Sequence, residues 1–262
     1  MNSGKRKRLK RIMPDGRTVI IPMDHGVTSG PVKGLENMQT IVDKLMDGGA
    51  DAVVVHKGIA KNVDTGDLGL IIHLSGSTKY SPQPNWKVRV GSVAEALKLG
   101  ADAVSVHINV GDDQEPAMLE KLGYVSEECE TYGIPLLAMM YPRGKLIKSE
   151  HDPEAVAHAA RLAAELGADI VKTNYTGDVD SFKRVVNSSP VPVIIAGGPK
   201  VETAVQVLKM VYDALSVGCK GVSIGRNVFQ HEHPDRMCRA LSLIVHENAT
   251  VEEAVKALGE QA

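Results

Sequence analysis

The sequence is poor in the residues that nucleic-acid binding depends on. Aromatic residues make up only 3% of the 262 residues, with one Trp and two Phe, so platforms for stacking bases are scarce. The net charge is −2, from 30 Lys and Arg against 32 Asp and Glu, which excludes attraction of a polyanion by a strong overall field. We therefore expect no nucleic-acid partner for the chain as a whole.

Cysteines and long apolar runs are also few. The three cysteines, Cys129, Cys219 and Cys238, are odd in number and lack CxxC spacing. This pattern argues against a disulfide framework and is typical of a cytoplasmic protein. The longest apolar runs, such as 134–140 and 191–196, are far shorter than the roughly 18 residues that cross a bilayer. We therefore expect no membrane partner.

A repeated phrase indicates the fold. Its four copies begin at Gly49, Gly100, Gly167 and Gly218. Each copy follows a helical pattern, and each glycine is followed by an apolar run that predicts a strand. Four further runs with strand character cover residues 19–23, 70–74, 135–141 and 191–196. Eight strands with helices between most of them predict one α/β domain over residues 1–262, a (β/α)8 TIM barrel. A doubly wound open sheet is less favoured, since no GxGxxG follows the first strand.

The N-terminal residues 1–16 stand apart from this pattern. Six Lys and Arg residues fall between Lys5 and Arg11. A run of like charges usually stays solvated, so we expect a basic arm in water, with a polyanion-binding arm as the alternative.

Alternation along the four repeated strands predicts which side chains face the barrel interior. Successive strand residues point to opposite faces, and the fourth and sixth residues after each glycine are β-branched, as suits packing beneath the helices. The fifth and seventh residues therefore face inward; they are Val54, Ser105, Lys172, Ser223, His56, His107, Asn174 and Gly225. This inward set becomes polar toward the C-terminal ends of the strands, where the active sites of such barrels lie.

Lys172 is an unusual residue for the inside of a barrel, because lysine is seldom buried unless it is paired or functional. One interpretation is an ion pair with an inward carboxylate such as Asp24. The other is a nucleophile that forms a Schiff base, activated by desolvation and by neighbouring cations. Tyr141 and Asp24, at the ends of the fifth and first strands, are candidates for proton transfer. The structural alternatives are a hydrogen bond to a backbone carbonyl for Tyr141 and a salt bridge for Asp24.

Glycine turns follow the last two predicted strands. Gly197 and Gly198 come after the seventh strand, and Gly225 with Arg226 after the eighth. Loops at these places often bind phosphate through backbone N–H groups, and an arginine adds a charged contact. The turns therefore predict a phosphorylated carbonyl substrate, with ordinary tight turns as the alternative.

A metal site is the alternative chemistry at this end of the barrel. Four histidines lie near the C-terminal ends of the first four strands: His25, His56, His73 and His107. Imidazoles converging there would suit a divalent cation, but no HxH or HExxH spacing is present. We expect neither a metal nor another cofactor.

Seven segments carry a resemblance to a known family. They are MDHGVTSGP (23–31), VVHKGI (54–59), IIHLSG (71–76), MMYPRGK (139–145), VKTNYTGD (171–178), IIAGGPK (194–200) and IGRNVFQ (224–230). Together they resemble, over nearly the whole chain, the archaeal-type class I aldolases. That family includes fructose-bisphosphate aldolases and 2-amino-3,7-dideoxy-D-threo-hept-6-ulosonate synthases, and the two methionines before Tyr141 make the synthase branch the closer likeness.

The resemblance implies roles for particular residues. Lys172 matches the Schiff-base lysine, Tyr141 the proton donor and Asp24 the acid/base partner. Substrate and phosphate contacts are implied at His25, Gly26, Val27, Thr28, Pro142, Arg143, Gly197, Gly198, Gly225 and Arg226. The same resemblance implies an enzyme that takes a phosphorylated ketose and an aldehyde. It also implies a homo-oligomer, namely a decamer.

The synthase branch implies one reaction in particular. An enamine derived from 6-deoxy-5-ketofructose 1-phosphate would be joined to L-aspartate semialdehyde, early in a route to 3-dehydroquinate and the aromatic amino acids. Three alternatives stay open: reversible cleavage of fructose 1,6-bisphosphate, a related transfer with dihydroxyacetone phosphate as donor, and a non-catalytic barrel whose basic arm binds a polyanion.

Overall fold

A computed structural model describes residues 2–199 and 203–259 of the protein. The strands are β1 (Thr18–Pro22), β2 (Ala52–Val55), β3 (Gly69–His73), β4 (Ser75–Gly76), β5 (Val88–Arg89), β6 (Ala103–Val110), β7 (Leu136–Pro142), β8 (Ile170–Thr173), β9 (Val193–Ala196) and β10 (Gly221–Ser223). Eight of them form a closed parallel barrel in the order β1, β10, β9, β8, β7, β6, β3, β2. The predicted TIM barrel is confirmed.

Helices alternate with the barrel strands along the chain. They are α1 (Ser3–Ile12), α2 (His25–Ser29), α3 (Met38–Asp47), α4 (Lys57–Ala60), α5 (Val93–Lys98), α6 (Glu115–Tyr132), α7 (Pro153–Glu165), α8 (Val179–Ser188), α9 (Ala204–Ser216), α10 (Arg226–Phe229), α11 (Pro234–Glu247) and α12 (Val251–Leu258). A short 3-10 turn covers Pro14–Gly16. Within the described residues, no helix has both the length and the apolar character that crossing a bilayer requires.

The two faces of the strands are buried in separate apolar layers. Val53, Val104 and Val171 belong to the layer between strands and helices. Val54 belongs to the inner layer, together with Ile20, Ile71, Leu137, Met139, Ile170 and Ile194 from the other strands. The alternation predicted from the repeated phrase is therefore correct, and it places the side chain of Lys172 on the inside.

The basic N-terminal segment differs from the solvated arm that its charge predicts. Helix α1 packs across the N-terminal end of the barrel, where Ile12 and Met13 join the inner apolar layer. Lys5 is only 1% exposed and forms ion pairs with Glu130 and Asp169. The physical reason is that a few apolar side chains of α1 cover the barrel's otherwise open end, and a buried cation is tolerated because two carboxylates meet it.

A small hairpin lies beyond β3 and was not predicted from the sequence. Strands β4 and β5 are antiparallel, with Ser75 opposite Arg89 and Gly76 opposite Val88. The backbone N–H of His107 donates to Ser75 Oγ at 3.0 Å, which joins the hairpin to β6. The hairpin therefore covers part of the barrel's C-terminal end.

Closure of the barrel between β1 and β10 requires a glycine at position 221. The φ of Gly221 is +140°, and a Cβ there would lie 2.0 Å from the carbonyl oxygen of Thr18 on β1. We expect Gly221→Ala to lower the free energy of unfolding by about 3 kcal/mol, because the strands would have to separate. Urea denaturation measures this loss.

A second glycine supplies the control. Gly123 lies inside α6 with no neighbouring atom within 4 Å of an added Cβ. Gly123→Ala should raise the stability by about 0.5–1 kcal/mol, as alanine does in helix interiors. Equal stability of the two variants would contradict the packing described at β1 and β10.

Candidate active site

A cavity of about 600 Å³ opens among the C-terminal ends of the barrel strands. It gathers ten of the predicted site residues: Asp24, His25, Thr28, Tyr141, Arg143, Lys172, Gly197, Gly198, Gly225 and Arg226. These residues come from both ends of the chain and meet because parallel strands in a barrel all end on one side.

Three predicted contacts lie outside this cavity. Gly26 and Val27 face a separate, mostly apolar depression that shares Asp24 and His56 with the cavity. The short helix α2 begins at His25, so its successive side chains turn to different sides. Pro142 lines a polar depression next to the cavity, since it alternates with Tyr141 along β7. Lys200, part of the predicted glycine-turn motif, lies outside the described residues.

Lys172 faces the cavity from β8 and is 6% exposed. In the described part of the chain its Nζ has neither a hydrogen-bond partner nor an ion-pair partner. The ion pair with Asp24, which was the structural alternative for this lysine, is therefore not observed. A buried lysine without a partner, beside an open volume, has its amine available to a ligand.

Asp24 follows β1 and lies among histidines. Its carboxylate oxygens are 3.6 Å from His73 Nε2 and 3.9 Å from His25 Nδ1. Burial by itself would raise the pKa of Asp24, but His73, His25 and Lys172 outweigh it and lower that pKa to about 2. At neutral pH Asp24 is therefore an ionised hydrogen-bond acceptor.

The histidines around Asp24 are neutral at pH 7. Burial lowers the pKa of His73 to about 3, and it also lowers the pKa of His25 and of His56. His73 Nδ1 lies 2.8 Å from Ser105 Oγ. Because the Nε2 side of His73 faces a carboxylate, Nε2 carries the proton and Ser105 donates to Nδ1. The neutral histidine rings thus present fixed dipoles, and not charges, to Asp24.

Tyr141 stands between two other side chains near the end of β7. Its ring centroid is 4.9 Å from that of His107 and 4.6 Å from the guanidinium carbon of Arg143. Arg143 in turn forms an ion pair with Glu150 at 2.8 Å. In the strand register, Met139 is opposite Lys172, so Tyr141 lies two residues further toward the open end. The phenol is therefore placed above the lysine, at the cavity wall.

The two glycine turns approach each other on the opposite side of Lys172. Arg226 Nη2 donates to the carbonyl of Gly198 at 3.2 Å, and Asn227 Nδ2 donates to the carbonyl of Gly197 at 2.9 Å. A Cβ on Gly225 would lie 2.6 Å from the carbonyl oxygen of Pro22. Only glycine fits there, so the backbone borders the cavity directly. Such a surface suits an anion.

Several residues of the site were not predicted from the sequence. Lys87, immediately before the hairpin strand β5, lines the cavity, and so do Ser75, Glu150 and His151. Asn227 fastens the first glycine turn to the second. Each hairpin strand has only two residues, which is too short for an alternating pattern to be recognised. The polar loop that carries Lys87 therefore gave no signal.

Metal-ligating side chains do not assemble at this site. Over residues 2–199 and 203–259, no group of three or more His, Cys, Asp or Glu side chains has an arrangement that would hold a metal ion. His73 and His107 instead use ring nitrogens on Ser105 and Asn109.

Comparison with known proteins connects this geometry to a family. Residues 18–231 match the model of the DeoC/LacD family aldolases. The chain is 50% identical over 256 residues to 2-amino-3,7-dideoxy-D-threo-hept-6-ulosonate synthase 1 from Archaeoglobus fulgidus. The aligned part covers 97% of this chain and 95% of the relative. It is 43% identical over 247 residues to 2-amino-4,5-dihydroxy-6-oxo-7-(phosphonooxy)heptanoate synthase from Streptomyces griseus, covering 93% and 90% of the two chains.

A solved structure is similar over almost its full length. It is an archaeal fructose-1,6-bisphosphate aldolase with its catalytic lysine covalently bound to the carbinolamine intermediate of the substrate. The TM-score is 0.86 at 36% identity, with 91% of this chain and 98% of the other chain covered.

Proposed function

Because the chain belongs to the DeoC/LacD family of class I aldolases, which act through a lysine Schiff base, we propose that it is a 2-amino-3,7-dideoxy-D-threo-hept-6-ulosonate synthase with Lys172 as the nucleophile. The observation that carries the proposal is the amine of Lys172, which has no partner among the described residues and lies in a cavity with Tyr141 and Asp24. The donor is the phosphorylated ketose 6-deoxy-5-ketofructose 1-phosphate, and the acceptor is L-aspartate semialdehyde.

The first half of the reaction cleaves the donor. Lys172 Nζ attacks the C5 ketone, and loss of water leaves a protonated imine. Asp24, or Tyr141 as its phenolate, accepts the proton of the C3 hydroxyl while the C3–C4 bond breaks. The electron pair of that bond moves into the imine and leaves a three-carbon enamine on Lys172. The departing fragment is an aldehyde that carries the phosphate.

The second half builds the product. The enamine carbon attacks the aldehyde carbon of L-aspartate semialdehyde, and the new alkoxide takes back the proton held since cleavage. Water then hydrolyses the imine and frees Lys172 with the product. The water lost in the first half is recovered in the second, so the transfer needs no oxidant, reductant or cofactor. Asp24, ionised at neutral pH, also stabilises the protonated imine by charge.

A second candidate function is favoured by the glycine turns. Tyr141 lies on the β7 side of Lys172, where the carbon–carbon bond breaks, and the turns lie on the β9 and β10 side. We assign Gly197, Gly198, Gly225 and Arg226 to a phosphate on the fragment that stays on Lys172. Dihydroxyacetone phosphate or fructose 1,6-bisphosphate would supply such a fragment, as the names of the Streptomyces and archaeal aldolase relatives indicate.

Product analysis tests the proposal. The enzyme is given each donor in turn, with L-aspartate semialdehyde present, and the products are identified by mass spectrometry. We expect the heptulosonate without phosphate from 6-deoxy-5-ketofructose 1-phosphate as the fastest reaction. Faster formation of a phosphorylated heptulosonate from dihydroxyacetone phosphate would replace the first candidate by the second. An assembly of several copies and a cytoplasmic location stay predictions.

A further inference from the structure

Lys87 faces the cavity from the side of the barrel opposite the glycine turns. The turns follow β9 and β10, and four strands round the barrel from these lie β3 and β6. The hairpin that carries Lys87 continues from β3 and is bonded to β6. Lys172 and Tyr141, on β8 and β7, lie between the two sides. An extended ligand attached to Lys172 and touching Tyr141 therefore points its far end toward Lys87.

The ammonium of Lys87 is held in place by a hydrogen bond that does not occupy all of its N–H donors. It is 9% exposed and donates to Ser77 Oγ at 2.6 Å. Lys121, a buried lysine of α6, donates to the backbone carbonyls of Lys87 and His107, which ties this part of the hairpin to β6. An ammonium has three N–H donors, and a side-chain acceptor in the described part of the chain takes one of them. The remaining donors are available to a ligand in the cavity.

Among the described residues, the charges near Lys87 include no carboxylate that pairs with it. Arg143 is close enough to affect it, since burial and then Arg143 lower the pKa of Lys87 while Asp24 raises it. Arg143 itself is paired with Glu150 and lies against the ring of Tyr141. In the described part of the chain no carboxylate forms an ion pair with Lys87. A buried cation in this state is stabilised by an anion from outside.

We propose that Lys87, with Arg143 beside it, binds the anionic end of the aldehyde half of the reaction: first the phosphate of the departing aldehyde, and then the carboxylate of the acceptor. The proposal rests on the function proposed above, since it needs an acceptor with a charged tail. Both aldehydes react at the same enamine carbon beside Tyr141, so their tails extend in the same direction. One subsite for both explains why Lys87 and Arg143 face the cavity on the side away from the glycine turns.

The test compares a charged acceptor with an uncharged one of the same length. In a ping-pong reaction kcat/KM for the acceptor depends only on the second half-reaction, so L-aspartate semialdehyde and butanal are each varied with the donor present. We expect Lys87→Met to lower the ratio of kcat/KM for L-aspartate semialdehyde to that for butanal by about 10- to 100-fold, as loss of a charged hydrogen bond does. Lys87→Arg should recover most of the ratio.

A matched control and a trapping experiment separate the outcomes. Lys79→Met removes the same charge from the same loop at an exposed position and should leave the ratio unchanged. Borohydride should still trap the donor on Lys172 in Lys87→Met. An unchanged ratio in Lys87→Met, with both acceptors affected equally or not at all, would overturn the subsite. Failure of borohydride to trap donor even in the wild-type protein would instead overturn the proposed function.

Discussion

Replacing Lys172 with methionine is expected to lower turnover by about 10⁴-fold or more. Methionine has a similar length and tolerates burial, so the barrel should still fold, but no amine remains to form the imine. The measurement has two parts. Steady-state rates give the loss of turnover, and mass spectrometry after borohydride treatment with donor gives the labelled residue. Wild-type protein should carry the reduced donor on Lys172, and the variant should carry none.

An exposed lysine provides the comparison for this experiment. Lys98 lies at the end of α5 in contact with water, and Lys98→Met should keep both the rate and the label. Normal turnover by Lys172→Met would refute the imine mechanism outright. Labelling of a different lysine in the wild-type protein would move the nucleophile elsewhere, and Lys87 would be the first residue to examine because it faces the same cavity.

Removal of the Tyr141 hydroxyl should have the second largest effect. Tyr141→Phe keeps the ring that lies against His107 and Arg143 and deletes only the proton-transfer group. We expect turnover to fall by about 10²- to 10⁴-fold, the usual contribution of a positioned acid or base. Imine formation at Lys172 precedes bond cleavage, so borohydride should still label the variant. The combination of slow turnover and normal labelling distinguishes a proton-transfer residue from a structural one.

Tyr175 offers a matched control for the same deletion. Its hydroxyl is buried and has no hydrogen-bond partner within residues 2–199 and 203–259, and the residue does not line the cavity. Tyr175→Phe should therefore keep turnover within about threefold of wild type. If Tyr141→Phe turned over normally, the proton would have to pass through Asp24. Asp24→Asn would then show the larger loss.

The parts of the fold that the sequence predicted are those with a short-range pattern. The repeated glycine phrase aligns four strands by inspection, and the two-residue period then orients every side chain on them. Lys172 could be placed on the interior face for this reason. Asp24 and Tyr141 followed from their positions at strand ends, where a barrel gathers its functional groups.

The parts that could not be predicted depend on contacts between distant segments. The sequence of α1 is mainly a run of charged residues. The helix packs on the N-terminal end of the barrel because that end is apolar, which the sequence of α1 alone does not show. Lys87 lies in a loop whose shape is determined by Lys121, 34 residues away. Gly26 and Val27 share a motif with Asp24, but one turn of helix directs them away from the cavity.

The closed base of the barrel has a kinetic consequence. Among the described residues, Ile12 and Met13 close the N-terminal end of the barrel, so the cavity opens at the C-terminal ends of the strands. The aldehyde released by cleavage must leave through the same opening by which the acceptor aldehyde enters, so the two cannot occupy it together. The departing aldehyde should therefore inhibit competitively against the incoming one, because both must use the same opening to reach the enamine on Lys172.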